Sequence, residues 1–430
     1  MPAGMPKEKT QQILSEVLAR ITPLEEETKT TQRQAEEILR KLNHELKSAN
    51  ARASIQGSFK KHTQLRHVFD IDIFVSFNYK KYAKNDSIIS NILEKKLKKL
   101  FSKIERLHGS RDYFQVKRGQ YTFEIVPILA ITSSRHAKNI TDVSPLHAKW
   151  VAKNSKGKGE DIRLAKAFLK AQGIYGAESY MRGFSGYSAE VLTIYYGSFT
   201  KLLKAASKWE GKVVIDPEKA YRHESPLLKL NQSKTVSPLV IVDPVQPERN
   251  VTAALNQETF IKFIDASSKF LKNPSREFFI KKISTKEDLI SKKPKNCMLL
   301  VVEAEPHPGK HDVIGAAILR KYELLKKTLS ENSFLPKESS WFWEKGEKGV
   351  IWFFISAKLP EKTEIRRGPS VKDEIHAERF RKKHQKSFVK KGRLYAKVTR
   401  KFTNPKALVS FMSKQPNFRE KIKSLRVEWH

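Results

Sequence analysis

Residues 57–75, GSFKKHTQLRHVFDIDIFV, end in a strand-like run that carries two acidic side chains, Asp70 and Asp72. Side chains two positions apart on a β-strand point to the same face, so the two carboxylates are expected to lie together. Two neighbouring anions among apolar residues repel each other unless a cation lies between them. Carboxylates without histidine or cysteine nearby are typical ligands of Mg²⁺, so the pattern predicts a magnesium site.

A third acid, Glu124, interrupts the strand-like run YTFEIVPIL at residues 121–129, where a charged residue is otherwise unfavourable. Three carboxylates can hold two metal ions, which activate an attacking hydroxyl and stabilise a leaving pyrophosphate. Gly57 and Ser58 precede the first aspartate, and a Gly-Ser turn can hold phosphate with its backbone N–H groups and hydroxyl. An isolated Asp-x-Asp pair is more often an exposed edge or a turn, but this ordered set of motifs favours a nucleotidyltransferase.

The composition predicts a large basic protein with a polyanionic partner. The 430 residues include 83 Lys plus Arg against 46 Asp plus Glu, which gives a formal net charge of +37. Nucleic acid is the first candidate for a partner that neutralises such a surface. With 39% hydrophobic and 10% aromatic residues, the chain is expected to form about two to four domains.

Cysteine content and hydropathy bear on the cellular compartment. The single cysteine, Cys297, excludes an intrachain disulfide and a thiolate zinc site, which favours a reducing, cytoplasmic environment. The N-terminal sequence has no run typical of a signal peptide, and no stretch approaches the roughly 18 consecutive apolar residues of a membrane span. The sequence therefore predicts a cytoplasmic protein without membrane association.

Apolar spacing predicts a small α/β unit followed by a helical region. Helices are predicted at residues 10–21, 25–46, 87–107, 161–171, 189–206 and 256–271. Besides the strand that carries Asp70 and Asp72, strands are predicted at residues 113–117, 121–129, 212–215 and 238–242.

The second half of the sequence predicts a linker and a further α+β unit. Lys281–Lys295 is rich in lysine and contains proline, which is typical of a linker. Beyond it, strands are predicted at 297–304 and 350–357, with a helix at 313–329. Residues 379–401 contain eleven Lys or Arg and no Asp or Glu. Apolar residues lie among these charges, which favours a folded basic face over a disordered arm.

Five segments in this order resemble the archaeal-type (class I) tRNA CCA-adding enzymes along most of the first 260 residues. They are GSFKKHTQLRHVFDIDIFV, FEIVP, SPLH, RLAKAFLKAQGIYGAESYMRGFSGYSAEVL and DPVQPERN. The resemblance implies an α+β multi-domain protein with a polymerase-β-like nucleotidyltransferase head, a helical neck, and α+β body and tail domains. It also implies ATP and CTP as substrates, the tRNA 3′ end as acceptor, Mg²⁺ as cofactor, no nucleic-acid template and a possible homodimer.

The resemblance places the domains as follows. Residues 1–147 are expected to form the catalytic head, and residues 148–237 the helical neck with the nucleotide and base pocket. An RNA-binding body is expected from residues 238–285 together with 376–430. Residues 286–375 are expected to form a tail that binds tRNA.

The resemblance also assigns individual residues. Asp70, Asp72 and Glu124 match the metal-binding acids of the family. The expected nucleotide contacts are Gly57 and Ser58 in the turn, with Lys61, His147, Lys166 and Tyr175. Arg249 resembles the arginine that recognises the incoming base, because its planar group of donors suits acceptors on cytosine or adenine. In the basic run, Lys390, Lys391 and Arg393 are expected to bind RNA.

Three departures from the family pattern affect the predicted site. Glu124 stands where the family more usually has aspartate, so its carboxylate reaches one methylene further. Lys61 stands where arginine is frequent, which keeps the charge but loses the bidentate group of donors. The stretch 66–69 lacks the glycine that is common before the aspartates in the wider superfamily.

Simpler interpretations of the same residues stay open. Lys166 could be a solvated lysine on a helix, and His147 could cap a helix or pack beside Pro145. Tyr175 could be an aromatic residue of a turn, and Arg249 could be an ordinary residue at a helix start. A poly(A) polymerase or another enzyme that extends RNA 3′ ends would share the three acids. A non-catalytic RNA-binding protein would share the basic surface.

Overall fold

The computed structural model describes residues 7–281, 285–344 and 346–430. The chain divides into two compact units, Met1–Lys282 and Ile283–His430. Residues 1–6 of the predicted head and residues 282–284 of the predicted linker lie outside the described residues. Two units of mixed helix and sheet agree with the predicted α+β multi-domain class.

The first unit opens with helices α1 (Lys7–Ile21) and α2 (Glu25–Leu46). A five-stranded sheet follows, made of β1 (Ala51–Ile55), β2 (Asp70–Phe77), β3 (Glu105–Leu107), β4 (Tyr113–Arg118) and β5 (Tyr121–Leu129). Its strand order is β1-β2-β5-β4-β3. Strands β2 and β5 pair in parallel, and the neighbouring pairs run antiparallel. The short helices α3 (Gly57–Lys60) and α4 (Tyr79–Tyr82) and the longer α5 (Ile89–Leu100) lie between strands.

The alternation of residues along β2 fixes which face of the sheet meets the core. Ile71, Ile73, Val75 and Phe77 are fully buried and pack with apolar residues of α2 and α5. Burying each such side chain stabilises the fold by roughly 1.5–3 kcal/mol. A one-residue slip of β2 would turn this whole set to solvent, so the core holds the acidic residues on the opposite face.

The rest of the first unit is mainly helical. It contains α6 (Ser144–Asn154), α7 (Gly159–Ala171), α8 (Gly186–Tyr196), α9 (Phe199–Ala206), the short α10 (Pro226–Lys229) and α11 (Gln257–Lys272). Two short parallel strands, β6 (Val213–Ile215) and β7 (Leu239–Ile241), pair beside them. The core between these helices is aromatic, with Phe168, Phe184, Phe199, Phe263 and Phe270 all buried in one cluster.

The second unit contains two antiparallel sheets. After α12 (Lys286–Lys292), the first sheet comprises β8 (Cys297–Pro306), β9 (Pro336–Phe342), β10 (Gly349–Ser356) and β14 (Ile422–Trp429), in the order β14-β8-β10-β9. The second comprises β11 (Thr363–Ser370), β12 (Ser387–Lys390) and β13 (Arg393–Thr399), in the order β11-β13-β12. The helices of this unit are α13 (His311–Glu331), α14 (Glu374–Lys383), α15 (Pro405–Ser413) and α16 (Pro416–Arg419).

Most predicted elements are confirmed within a few residues, and three predictions were wrong in detail. The helix predicted at 87–107 ends at Leu100, because the chain continues to the core in an extended form and residues 105–107 are strand β3. The helix predicted at 189–206 is two helices, separated where Gly197 adopts φ 87° and Ser198 caps α9. The predicted linker does contain the boundary between the two compact units, but part of it forms α12, whose start has a capping box formed by Thr285 and Asp288.

The predicted basic face at residues 379–401 is folded, as expected. It spans the end of α14 and the hairpin of β12 and β13. The predicted domain boundaries divide the chain more finely than the two compact units do, and they stay a prediction. Across the described ranges, no helix has both the length and the apolar character that a bilayer crossing needs.

Candidate active site

Three acidic side chains lie side by side on the face of the first sheet opposite its core. In the parallel pairing of β2 and β5, Asp72 stands directly opposite Glu124, and Asp70 stands opposite Thr122. Asp70 is exposed, whereas Asp72 and Glu124 are half-buried. We call the surface formed by Asp70, Asp72 and Glu124 the acid face. The structure thus brings together the three acids that the sequence analysis grouped.

The pKa of Asp72 reflects the repulsion among the acids of the acid face. Burial raises the pKa of the Asp72 carboxyl to about 6, and the negative charges of Glu124 and Asp70 act in the same direction. The positive charges of Lys61 and Lys166 oppose the shift. Because like charges close together destabilise the ionised form, the acid face favours a bound cation.

The acid face fits part of the ligand set of a divalent cation. Gln115 Nε2 donates a hydrogen bond to Glu124 Oε1 at 2.6 Å, which holds the third acid in place. Within the part of the chain that the structure describes, no three His, Cys, Asp or Glu side chains form a complete metal-ligand group. Mg²⁺ usually takes one or two carboxylates and completes its coordination with water and substrate phosphate. An incomplete protein ligand set is therefore compatible with this metal.

The predicted Gly57–Ser58 turn lies directly against the acid face. Gly57 has φ +66°, and a Cβ atom added there would lie 1.6 Å from Asp72 Oδ2. The neighbouring Gln56 N–H donates to the backbone oxygen of Asp72 at 2.8 Å. Glycine is therefore required at position 57 by both conformation and space. Ser58 follows it in the short helix α3.

Lys61 and Lys166, which we call the lysine pair, meet at one buried carboxylate. Lys61 Nζ lies 2.6 Å from Glu190 Oε2, and Lys166 Nζ lies 2.8 Å from Glu190 Oε1. Thr63 Oγ1 also donates to Glu190 Oε1 at 3.1 Å and accepts from Lys166 Nζ at 2.9 Å. Lys166 is buried, so the interpretation of this residue as a solvated helix lysine was wrong.

Tyr175 lies beside the lysine pair. A Cβ atom added at Gly186 would lie 2.8 Å from the Tyr175 hydroxyl oxygen and 4.0 Å from Lys166 Cε. Burial raises the pKa of Tyr175, and the negative charges of Glu190, Glu178 and Asp72 add to the shift. The Tyr175 hydroxyl therefore stays protonated at neutral pH and is available as a hydrogen-bond donor.

Four residues form a second group, which we call the base cluster: His147, Tyr187, Asp243 and Arg249. Asp243 is fully buried, and its Oδ2 lies 2.7 Å from Arg249 Nη1 and 2.9 Å from His147 Nε2. The Tyr187 hydroxyl donates to Asp243 Oδ1 at 3.3 Å, and the rings of Tyr187 and His147 lie 4.3 Å apart. The Arg249 side chain stays 32% exposed, so part of the guanidinium is free to meet a ligand.

The charge of Asp243 is maintained despite its burial. Burial raises the pKa of its carboxyl, but the contact with His147, the Val245 backbone N–H and the charge of Arg249 outweigh burial. The net result is a pKa below the usual range of aspartate. Asp243 is therefore an anion that orients Arg249 and lies against His147.

The sequence analysis missed Glu190 and Asp243. Each is an acid inside an otherwise apolar segment, in SAEVL and in VIVDP respectively. An acidic residue within an apolar run is the signal that indicated Glu124, and the same signal could have indicated Glu190 and Asp243. The three predicted RNA contacts, Lys390, Lys391 and Arg393, lie in the second unit at the turn between β12 and β13.

The sheet and its acid face define the class of this protein. Two strand-borne aspartates beside a Gly-Ser turn, with a third acid on the adjacent parallel strand, are the arrangement expected of a nucleotidyltransferase. A solved structure of the Cid1 poly(U) polymerase with bound Mg 3′-dATP matches with a TM-score of 0.51 at 14% identity, covering 64% of this chain and 99% of that chain. At this identity the match supports the fold and not the choice of base. The predicted nucleotidyltransferase head is confirmed.

Family models and relatives identify the particular family. Residues 160–280 match the second domain of tRNA nucleotidyltransferase, residues 296–425 match the C-terminal domain of the CCA-adding enzyme, and residues 9–163 match the second messenger oligonucleotide or dinucleotide synthetase domain. A CCA-adding enzyme of Nanoarchaeum equitans is 36% identical over 81% of this chain and 84% of its own length. That of Methanocaldococcus jannaschii is 32% identical over 92% of this chain and 88% of its own.

The chain belongs to the CCA-adding enzyme family. It is a CCA tRNA nucleotidyltransferase, whose reaction is the template-independent addition of C, C and A to the 3′ end of tRNA with release of pyrophosphate. The predicted resemblance to the archaeal-type enzymes is confirmed over most of the chain.

Proposed function

We propose that Asp70, Asp72 and Glu124 are the catalytic acids of CCA addition, with CTP and ATP as substrates and Mg²⁺ as the metal. The observation that carries this proposal is the register of β2 and β5, which puts Asp72 beside Glu124 on one face with Asp70. When bound there, Mg²⁺ would neutralise charge at the attacking 3′-hydroxyl and at the leaving pyrophosphate.

The triphosphate is proposed to bind between the Gly57–Ser58 turn and the lysine pair. The turn touches Asp72, and the positive charges of both lysines lower the pKa of its carboxyl, so the turn and the lysine pair both border the space beside Asp72. Backbone N–H groups, the Ser58 hydroxyl and two ammonium groups suit phosphate oxygens. Tyr175 adds a protonated hydroxyl at the edge of the same space.

The base cluster is proposed to recognise the incoming base. Asp243 fixes the Arg249 guanidinium from one side, which leaves its remaining N–H groups to donate to acceptors on cytosine or adenine. His147 lies against Tyr187 and shares the same buried carboxylate. A fixed donor array binds a base more tightly than a mobile one, because less side-chain entropy is lost on binding.

We also propose the division into domains, the cellular compartment and the oligomeric state. Residues 1–147 act as the head, 148–237 as the neck, 238–285 with 376–430 as the body, and 286–375 as the tail. The buried, single Cys297 suits a cytoplasmic enzyme, and a homodimer is the expected assembly. Sedimentation of the purified chain measures the assembly directly.

The turn between β12 and β13 is proposed to contact tRNA phosphates. Lys390 and Lys391 are exposed, and neither pairs with a carboxylate among the described residues. Arg393 is opposite Lys390 in the register, and its Nη1 donates to the backbone oxygen of Gly368. Because the turn concentrates three positive charges, it suits a polyphosphate backbone.

Charge reversal at this turn is expected to weaken tRNA binding. Lys390→Glu with Lys391→Glu should lower affinity at least about tenfold at low salt and flatten the salt dependence of the dissociation constant, since fewer counterions are released. Filter binding across a salt series measures both quantities. Lys358→Glu with Lys362→Glu, on an exposed loop of the same unit, gives the same charge change as a control. Equal affinity of the two double variants would contradict the assignment.

The order of nucleotide addition tests the function. The protein, Mg²⁺ and a tRNA lacking its terminal CCA, supplied with labelled CTP and ATP, should yield products extended by C, C and then A. Sequencing the extended 3′ ends identifies each step. Continuous addition of A without use of CTP would instead favour the poly(A) polymerase alternative. An absence of incorporation would favour the non-catalytic alternative.

A further inference from the structure

A fully buried glutamate connects three separate segments of the proposed nucleotide site. Glu190 lies on α8 and has no exposed side-chain surface. Its two oxygens receive Lys61 and Thr63 from the loop after α3, and Lys166 from α7. Each oxygen has at least one charged partner at 2.8 Å or less. The carboxylate therefore fixes the loop and the two helices relative to one another.

The cluster has an excess of positive charge. One carboxylate faces two ammonium groups whose side chains are 13% and 5% exposed, for Lys61 and Lys166 respectively. Leaving a charge unbalanced in a poorly solvated place is costly, so such a cluster favours an additional anion. Both lysines also act on Asp72 of the acid face, which places the excess charge next to the proposed path of the triphosphate.

Glu190 is needed to keep this charge in place. Burial lowers the pKa of Lys166, and the positive charge of Lys61 acts in the same direction, whereas Glu190 raises it. In return, the two lysines hold the pKa of Glu190 at about 2 against the effect of burial. Without the carboxylate, Lys166 would lose its proton more readily and Lys61 would lose its anchor. Two donors for phosphate would be weakened together.

We propose that Glu190 is a positioning residue, which holds the ammonium groups of Lys61 and Lys166 beside the acid face for the triphosphate of the incoming nucleotide. Glu190 does not itself touch the reacting atoms. Its side-chain hydrogen bonds among the described residues go to Lys61, Thr63 and Lys166, so its main effect is expected on the triphosphate. This inference rests on the proposed triphosphate site.

The test uses Glu190→Gln in the full-length protein, with steady-state kinetics and inorganic tripolyphosphate as a competitive inhibitor. The KM values for CTP and ATP and the inhibition constant of tripolyphosphate should all rise about tenfold, the size expected for loss of a charged hydrogen bond. The kcat at saturating nucleotide should change less than about threefold, and tRNA affinity should stay unchanged.

Thr193→Val is the matched control for general damage to α8. Thr193 is fully buried one turn after Glu190 and bonds to the Ala189 backbone oxygen of the same helix. The Thr193→Val variant should leave the KM values for CTP and ATP and the inhibition constant of tripolyphosphate unchanged. Unchanged or lower constants in Glu190→Gln would overturn the proposal, and so would a rise in Glu190→Gln that Thr193→Val reproduces.

Two further variants keep the proposal testable. If Glu190→Gln does not fold, Thr63→Val removes one donor to the same carboxylate and should raise the same constants by about two- to threefold. No rise in that variant would overturn the inference. Lys166→Met tests the underlying site: if it leaves the tripolyphosphate constant unchanged, the triphosphate site itself is misplaced. If Lys166→Met raises the inhibition constant of tripolyphosphate and Glu190→Gln does not, the proposed triphosphate site stands and only the proposed role of Glu190 is wrong.

Discussion

Replacing Asp72 by Asn should reduce nucleotide addition by at least about a thousandfold while leaving tRNA binding intact. The substitution keeps the size of the side chain but removes the half-buried charge that stands between Gly57 and Glu124. Loss of a metal-binding carboxylate removes several kcal/mol of charge stabilisation in the transition state, and each ~1.4 kcal/mol is a tenfold change in rate. Single-turnover incorporation of CTP into tRNA lacking CCA measures the effect.

The control for this variant comes from the same strand. Ser76 lies on the same face of β2, four residues after Asp72, and Ser76→Ala should retain the activity of the unmodified protein. Binding of tRNA by Asp72→Asn should stay within about threefold, because phosphate contacts elsewhere supply most of that affinity. Full activity in Asp72→Asn would show that this carboxylate is not needed for catalysis and that the catalytic acids lie elsewhere.

Replacing Arg249 by Ala should impair the use of CTP and ATP and weaken base selection. The substitution removes the fixed donors that Asp243 orients, and hydrogen bonds to a charged group contribute about 1.5–3 kcal/mol. We therefore expect kcat/KM for both nucleotides to fall about 10- to 100-fold. The kcat/KM values for UTP and GTP should fall less, so the ratio of kcat/KM for CTP or ATP to that for UTP or GTP should decrease. Kinetics with each of the four nucleotides measure this.

One comparison variant separates the donor geometry of Arg249 from its charge, and a second variant is a control for loss of an exposed arginine. Arg249→Lys keeps the charge but loses the planar group of donors, so it should stay closer to Arg249→Ala than to the unmodified protein. Arg20→Ala removes an exposed arginine at the end of α1 and should have no effect. An Arg249→Ala protein that retains its full preference for CTP and ATP would place base recognition elsewhere.

The acid face was predictable from local patterns, because two-residue periodicity and apolar neighbours fix the orientation of a strand. The rule puts Asp70 and Asp72 on one face of β2 and puts Glu124 on the less buried face of β5, without information from distant parts of the chain. The sequence does not reveal that β2 and β5 are adjacent and parallel, since that pairing depends on the whole sheet. The order of the motifs grouped Glu124 with the two aspartates, and the structure shows the strand pairing that brings them together.

The partners of the site were harder to predict than the site. Lys166 lies between Lys158 and Lys170 in sequence, yet it is buried and pairs with Glu190, which lies 24 residues later on α8. Arg249 likewise depends on Asp243, which accepts from it across a tight turn. Paired charges of this kind result from tertiary packing, so residue spacing alone does not identify them. An acid within an apolar run is the signal that sequence analysis should follow further.

Secondary-structure errors have similar causes. The helix predicted to reach residue 107 stops at Leu100, although apolar residues continue beyond it at helical spacing. Phe101 and Ile104 reach the core from an extended chain instead. Periodicity reports which residues are buried, and it does not distinguish a continued helix from an extended segment that buries the same side chains.

The location of a divalent metal beside bound CTP shows whether the acid face is the catalytic metal site. Crystals soaked with Mn²⁺ and CTP allow the metal to be located by anomalous scattering. We expect a metal peak within roughly 2.0–2.3 Å of the carboxylates of Asp70 and Asp72, with the triphosphate reaching the Gly57–Ser58 turn and Lys61. A metal and triphosphate bound away from this face, with the three carboxylates left to solvent, would contradict it.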